Sequence, residues 1–250
     1  MRYIAAVVCC LAAAPALGWD DCRHEAPRAL AESLEGVSVV EIWALAGALE
    51  VRGSARTDLA AEGRACTSDE NRLAEVQLVA RRLDDVLQLR VQMPEGDYGY
   101  AVLDLEVELP ARLPVRVSDS SGDLEIRGVA SVELTDSSGD VEIHDVPGAV
   151  TVLRDSSGDI EIRRAGPVSI EVDSSGSVDI ESVASATVRI DTSGDLRFRD
   201  VRGDVAVGSD SSGDIIAEGV GGRFTVEADT SGEIRTRDVA GEIRLPVNKR

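Results

Sequence analysis

A five-residue phrase recurs through the second half of the chain and sharply limits what that half can fold into. It reads DSSGD from Asp119, Asp136, Asp155 and Asp210, DSSGS from Asp173, DTSGD from Asp191 and DTSGE from Asp229. Its glycines are Gly122, Gly139, Gly158, Gly176, Gly194, Gly213 and Gly232, spaced 17 to 19 residues apart. A fixed period near twenty residues is the mark of units that stack on copies of themselves.

Aligning the copies on their glycines gives columns. Two residues on stand Leu124, Val141, Ile160, Val178, Leu196, Ile215 and Ile234; four residues on stand Ile126, Ile143, Ile162, Ile180, Phe198, Ala217 and Thr236. Mostly charged residues separate them (Glu125, Glu142, Glu161, Asp179, Arg197, Arg235), with Ile216 the exception. Alternation of period two predicts a strand with one buried face, and apolar residues do not recur at helical spacing. A third apolar column, Val129 to Val239, lies seven residues after each glycine among turn residues such as Gly128 and Pro147, and a second alternating strand follows, as in Val132-Glu-Leu134. One repeat is strand, turn, strand, turn, and it cannot bury its apolar face alone. Stacking coils about 4.8 Å apart joins the columns into one core. The predicted fold is all-β, a parallel β-solenoid (β-helix) of about eight coils, with the one-residue differences in spacing absorbed at the second strand.

The phrase itself has two readings. Glycine permits positive φ at a corner, and Asp and Ser side chains cap backbone amides in turns. Alternatively, Asp119, Asp136, Asp155, Asp173, Asp191, Asp210 and Asp229 form a cation ladder on an exposed edge, because like charges 4.8 Å apart repel by about 1 kcal/mol per pair in water. Ca²⁺ would relieve that repulsion. Turn chemistry is the preferred reading: the glycine-rich nonapeptide Ca²⁺ repeat is absent and one short turn offers few converging ligands. No metal site or cofactor is expected beyond that Ca²⁺ alternative.

Met1 to Gly18 reads as a secretory signal peptide, with Arg2, an apolar run from Ile4 to Ala14, and cleavage after Gly18 or Ala16. The run is too short to span a membrane. Cys9 and Cys10 leave with it, so Cys22 and Cys66 remain, and an even pair in an exported chain reads as a disulfide. Residues 19–36 form an expected N-terminal cap segment that includes a short helix, Pro27 to Leu34. The solenoid is expected over 37–250, irregular over 37–116 and regular over 117–250. Gly47-Ala-Leu-Glu-Val-Arg-Gly-Ser-Ala55 matches Gly122 to Ala130 almost position for position and reads as an eighth repeat without its aspartates. Leu83 to Met93 and Tyr98 to Leu109 read as longer strands joined by a turn at 94–97. Pro246 and the charged tail would blunt the last edge.

The recurrent SGD-hydrophobic-x-hydrophobic-x-x-V unit, the early GALEVRG strand and the LDLEVELP segment at 103–110 together resemble the bacterial putative-adhesin family, a β-strand-repeat class of unknown function. The resemblance covers about residues 37–245. It implies the solenoid architecture and, as an expectation, an adhesin-like surface role.

Charge narrows the partners. The 46 acidic residues face 26 basic ones, of which Arg2 lies in the leader, so the exported chain carries about −21. Such a surface repels nucleic acid and anionic lipid. The expected location is the periplasm or the cell surface, and the expected partner an unidentified envelope or surface protein. Trp43 is expected to pack in the cap. His144 stands in an outward column otherwise held by Arg127, Arg163 and Arg199 and reads as solvated, and His24 has no clear partner. The function expected is that of a non-catalytic structural or interaction protein. The alternative is a polysaccharide-active β-helix enzyme using acidic corner residues, but seven similar copies do not single out one place where two carboxyls could differ in pKa. Ice binding would need outward ranks of Thr where Glu and Arg stand.

Overall fold

The computed structural model describes residues 22–96 and 99–247. The leader, Asp97, Tyr98 and the last three residues lie outside the described residues. In chain order the strands are β1 (His24–Ser33), β2 (Val39–Trp43), β3 (Leu49–Ser54), β4 (Asp58–Thr67), β5 (Gln77–Leu83), β6 (Val86–Gln92) and β7 (Ala101–Pro110), with one helical turn, α1 (Glu70–Leu73), before β5. There follow β8 (Val115–Ser118), β9 (Leu124–Arg127), β10 (Val132–Thr135), β11 (Val141–Val146), β12 (Val150–Arg154), β13 (Ile160–Ala165), β14 (Pro167–Ile170) and β15 (Val178–Glu181). The remainder are β16 (Ser185–Asp191), β17 (Leu196–Val201), β18 (Val205–Asp210), β19 (Ile215–Val220), β20 (Phe224–Asp229), β21 (Ile234–Val239) and β22 (Ile243–Arg244).

Strands that alternate apolar and charged residues can bury only one face, and here two sheets bury theirs against each other. The first sheet has the order β1-β4-β7-β3-β9-β11-β13-β15-β17-β19-β21, the second β22-β20-β18-β16-β14-β12-β10-β8-β2-β6-β5. From β9 onward each strand of the first sheet pairs in parallel with the one a repeat away, and the register follows the glycine alignment: Leu124↔Val141, Val141↔Ile160, Ile160↔Val178, Val178↔Leu196. This is the β-solenoid expected from the repeat. The three apolar columns are buried through Val220, while Thr236 in the last coil is exposed. A bulge in the second sheet takes up one spacing difference. Leu134 opposes Val152 but Thr135 opposes Arg154, leaving Leu153 extra and exposed.

The eighth repeat is confirmed: β3 lies parallel to β9 with Leu49↔Leu124 and Val51↔Ile126. It does not stand at the end of the stack. The coil of β2 and β3 sits between the coil of β6 and β7 on one side and that of β8 and β9 on the other. The chain passes outward, builds β6 and β7, and returns across its own first coil.

The helix expected over Pro27 to Leu34 is a strand instead. β1 pairs antiparallel with β4 over its whole length, from His24↔Thr67 to Ser33↔Asp58, and β4 pairs antiparallel with β7. Local helix preference yields because the open edge of β4 offers a full row of backbone partners. Cys22 and Cys66 form the expected disulfide, with Cα atoms 5.6 Å apart, and pin this edge. The strand expected over Leu83 to Met93 is present as β6 but starts three residues later, after a turn. Asp84 takes a positive φ of 54° and turns β5 back antiparallel on β6. Trp43 is not packed in a cap: it faces outward beneath the Arg90 guanidinium, 4.1 Å from the ring centre. At the other end β21 is an open edge with mostly exposed side chains, and Val247 is 82% exposed.

Candidate functional site

Four positions of the DSSGD corner have separate jobs. The glycine takes φ between +112° and +139° in all seven copies, and an added Cβ would overlap the carbonyl of the preceding coil's equivalent glycine from Gly139 onward. The second serine reaches back one coil. Ser138 Oγ donates to the Ser120 carbonyl at 3.0 Å, and Ser157, Ser175, Ser193, Ser212 and Ser231 repeat the contact. The final aspartate reaches forward. Asp123 accepts the Asp140 N–H, Asp140 the Asp159 N–H, and Asp159, Asp195 and Asp214 do likewise. Both contacts tie coil to coil at the surface.

The first aspartate corrects the sequence reading. Asp119, Asp136, Asp155, Asp173, Asp191, Asp210 and Asp229 are not on an exposed edge. They are 0–5% exposed and turn into the core. They stack in register, with Asp155↔Asp173, Asp173↔Asp191, Asp191↔Asp210 and Asp210↔Asp229. The inward residues flanking this column on the two sheets are hydrocarbon: Val117, Leu134, Val152, Ile170, Val188 and Val207 before it, Leu124, Val141, Ile160, Val178, Leu196 and Ile215 after it. Among the described residues no well-aligned hydrogen bond reaches either carboxyl oxygen of Asp119, Asp136, Asp155, Asp173 or Asp191, and the amides of the following serines act on them only weakly. At Asp210 the Ser212 N–H supplies one, 3.1 Å from Oδ1. Burial pushes the carboxyls up, Asp119 to about 7 and Asp155 and Asp191 to about 8. Asp136, Asp173 and Asp210 are also raised by burial, while nearby turn amides and the neighbouring Asp side chains act against the rise. The sequence held a signal of this. The first Asp is invariant across the seven copies, whereas the fifth position varies among Asp, Ser and Glu.

A groove of about 920 Å³ crosses the outward face of the first sheet at its N-terminal end, over β1, β4, β7, β3, β9 and β11. Nine carboxylates line it (Glu25, Glu50, Glu62, Asp104, Glu106, Asp123, Glu125, Asp140, Glu142) against one lining guanidinium, Arg64. Arg64 pairs with Glu25 at 3.2 Å, while Arg52 and Arg127 pair with Glu50 and Glu125. Sequence reasoning missed the groove because it depends on β1 and β4 lying beside coils that come later in the chain.

Beside the groove, Glu142, His144 and Glu161 bring one ligand atom each within 4.8 Å of one another. His144 is therefore less solvated than expected. Its side chain is 14% exposed, with Nε2 3.4 Å from Glu142 and 3.8 Å from Glu161. Arg163 already pairs with Glu161. Elsewhere the outward columns carry mixed pairs such as Arg199 with Asp179 and Glu181, which contribute little individually.

The family profile described as Toastrack DUF4097 matches residues 88–238. The chain belongs to this family. Solved structures similar to it include a "putative lipid binding protein" from Parabacteroides distasonis, 17% identical, covering 88% of this chain and 96% of that one, TM-score 0.45. A "putative adhesin" from the same organism is 10% identical over 89% and 97%, TM-score 0.42. Another from Bacteroides fragilis is 12% identical over 91% and 99%, TM-score 0.37. No curated protein matches the chain. Among the described residues no helix is long and apolar enough to cross a membrane.

Proposed function

We propose that this Toastrack protein is an exported, non-catalytic interaction protein that engages a cationic partner through its acidic groove. The observation that carries this reading is the groove itself, nine carboxylates and one guanidinium around about 920 Å³. Such a concentration of one sign attracts a basic segment over a distance and repels nucleic acid and anionic lipid. The disulfide supports an oxidising compartment outside the cytoplasm. Adhesion is the cell-surface form of this role. The alternative of a polysaccharide-active enzyme loses its proposed corner acids, because the first aspartates are buried and the last ones spend an oxygen on the next coil's amide.

A lysine-rich peptide titrated against the mature chain tests the groove. Replacing Glu62, Glu106 and Glu125 with Gln should weaken binding at least about tenfold, whereas Glu218→Gln with Glu242→Gln at the far end should leave it unchanged. Equal losses from both sets would reduce the groove to general surface charge and end the proposal. Protease shaving of intact cells against spheroplasts then separates a surface adhesin from a periplasmic protein.

A further inference from the structure

An unpaired buried carboxylate is expensive, and neutralising the group is the usual outcome. The corner column places such groups one coil apart along the solenoid, between hydrocarbon side chains of both sheets. The charges that act most on Asp119, Asp155 and Asp191 are those of neighbouring column members. Something must therefore cancel the charge. A divalent cation fits poorly: Ca²⁺ takes 6–8 oxygens, and corner carbonyls such as those of Ser120, Ser137 and Ser156 already accept from the serines of the next coil. A proton needs no room and no further ligands. The column is in register from coil to coil, Asp155 on Asp173, Asp173 on Asp191, Asp191 on Asp210, so each buried carboxyl has the next one as its nearest polar side chain along the column.

We propose that the column is an internal proton store: at neutral pH alternate aspartates are carboxylic acids, each donating its proton in a hydrogen bond to a neighbouring column carboxylate, so that the coils take up protons on folding and loosen when the solution turns alkaline. Asp155 and Asp191 are the acid members, with Asp136, Asp173 and Asp210 beside them as acceptors, while Asp119 at the end of the column keeps its proton through burial. The balance is simple. One proton is held per acid–carboxylate pair, it comes from water when the chain folds, and it returns there on unfolding. Because the folded carboxyls hold their protons to about pH 7 or 8 and unfolded ones only to about 4, the stabilisation is full below pH 4 and is lost as pH rises through 7 to 8. This is opposite in sign to ordinary acid denaturation.

The test is urea unfolding of the disulfide-intact chain from pH 5 to pH 9, in low and in high salt. The unfolding constant should rise roughly tenfold per pH unit for each extra proton held by the folded state, and that slope should persist at high salt. Salt screens the repulsion among surface carboxylates but not a buried pair. Asp155→Asn with Asp191→Asn keeps the shape and an N–H donor without the titration, so its slope should be flatter by about two protons. The infrared C=O stretch of a protonated carboxyl in the folded wild type at pH 7 gives a readout that needs no variant. Absence of that band overturns the proposal, as does a pH slope that vanishes in salt. A rise in the pH 8 urea midpoint on adding CaCl₂ that the double variant lacks would also overturn it, in favour of a cation-filled column.

Discussion

Between β9 and β21 each first-sheet strand rests on the strand one repeat away, held by the same Gly and Ser contacts and, except where Ser177 replaces the last aspartate, by the same Asp contact. Between β1 and β7 the phrase is missing, the strand order departs from chain order, and antiparallel pairing plus a disulfide do the holding. The regular half gains order from repetition and leaves a uniform face. The irregular half spends longer strands on ending the sheets, and the acidic groove lies where it meets the first regular coils. A solenoid's distinctive surface is thus found where its repetition stops.

Glycine substitutions should separate the two halves most strongly. Gly194→Ala forces a Cβ into the Gly176 carbonyl at φ +132° and should cost about 4 kcal/mol or more, read as a urea midpoint shift or failure to fold. Gly96→Ala, at φ +80° with nothing within 4 Å, should cost only about 1 kcal/mol. Similar losses at both sites would mean that close coil contact does not set the corner. Reducing the Cys22–Cys66 bond, which closes a separation of 44 residues, should cost about 2–4 kcal/mol. Its effect should be local, with hydrogen exchange quickening in β1 and β4 while β13 to β19 keep their protection. Uniform loss of protection would show that the two halves unfold as one unit.

The smallest effect concerns the left-handed position six residues after each glycine, held by Asp145, Arg164, Ser182, Asp200 and Asp238 at φ 52–58° and by Gly128 and Gly219. Arg164→Gly should relieve about 1 kcal/mol of backbone strain and lose an exposed pair with Asp145 worth only tenths of that, giving a net gain of about 0.5 kcal/mol. Asp145 has the opposite linkage to the buried column. The Arg164 guanidinium holds its carboxyl below the usual range, so this small contribution is present at neutral pH and lost on acidification. Titrating Asp145 by NMR in wild type and in the Arg164→Gly chain should show its pKa rise in the variant.

Most of the regular half was legible because its information is local. The column two residues after each glycine became the register pairs Val141↔Ile160 and Val178↔Leu196 without adjustment. Three things were not legible, each for a physical reason. β1 carries a helix-compatible sequence, and only the free edge of β4, whose partner residues lie far along the chain (from Ser33↔Asp58 to His24↔Thr67), decides its state. The direction of the first Asp depends on which way a corner side chain turns, and a polar turn phrase gives no periodicity to read. The groove is assembled by coils whose stacking order the sequence does not state.

The coil of β2 and β3 has a consequence for how the chain matures. It is made first yet is flanked on both sides by strands made later, β6 and β7 on one face and β8 and β9 on the other. As the polypeptide emerges from its amino end, this coil has no lasting neighbour until about residue 92 and is not enclosed until about residue 127. Every later coil finds a finished template waiting. Assembly is therefore expected to be slow to begin and quick to propagate, with the leading third of the chain loose until its later partners arrive and the rest closing behind it like a zip.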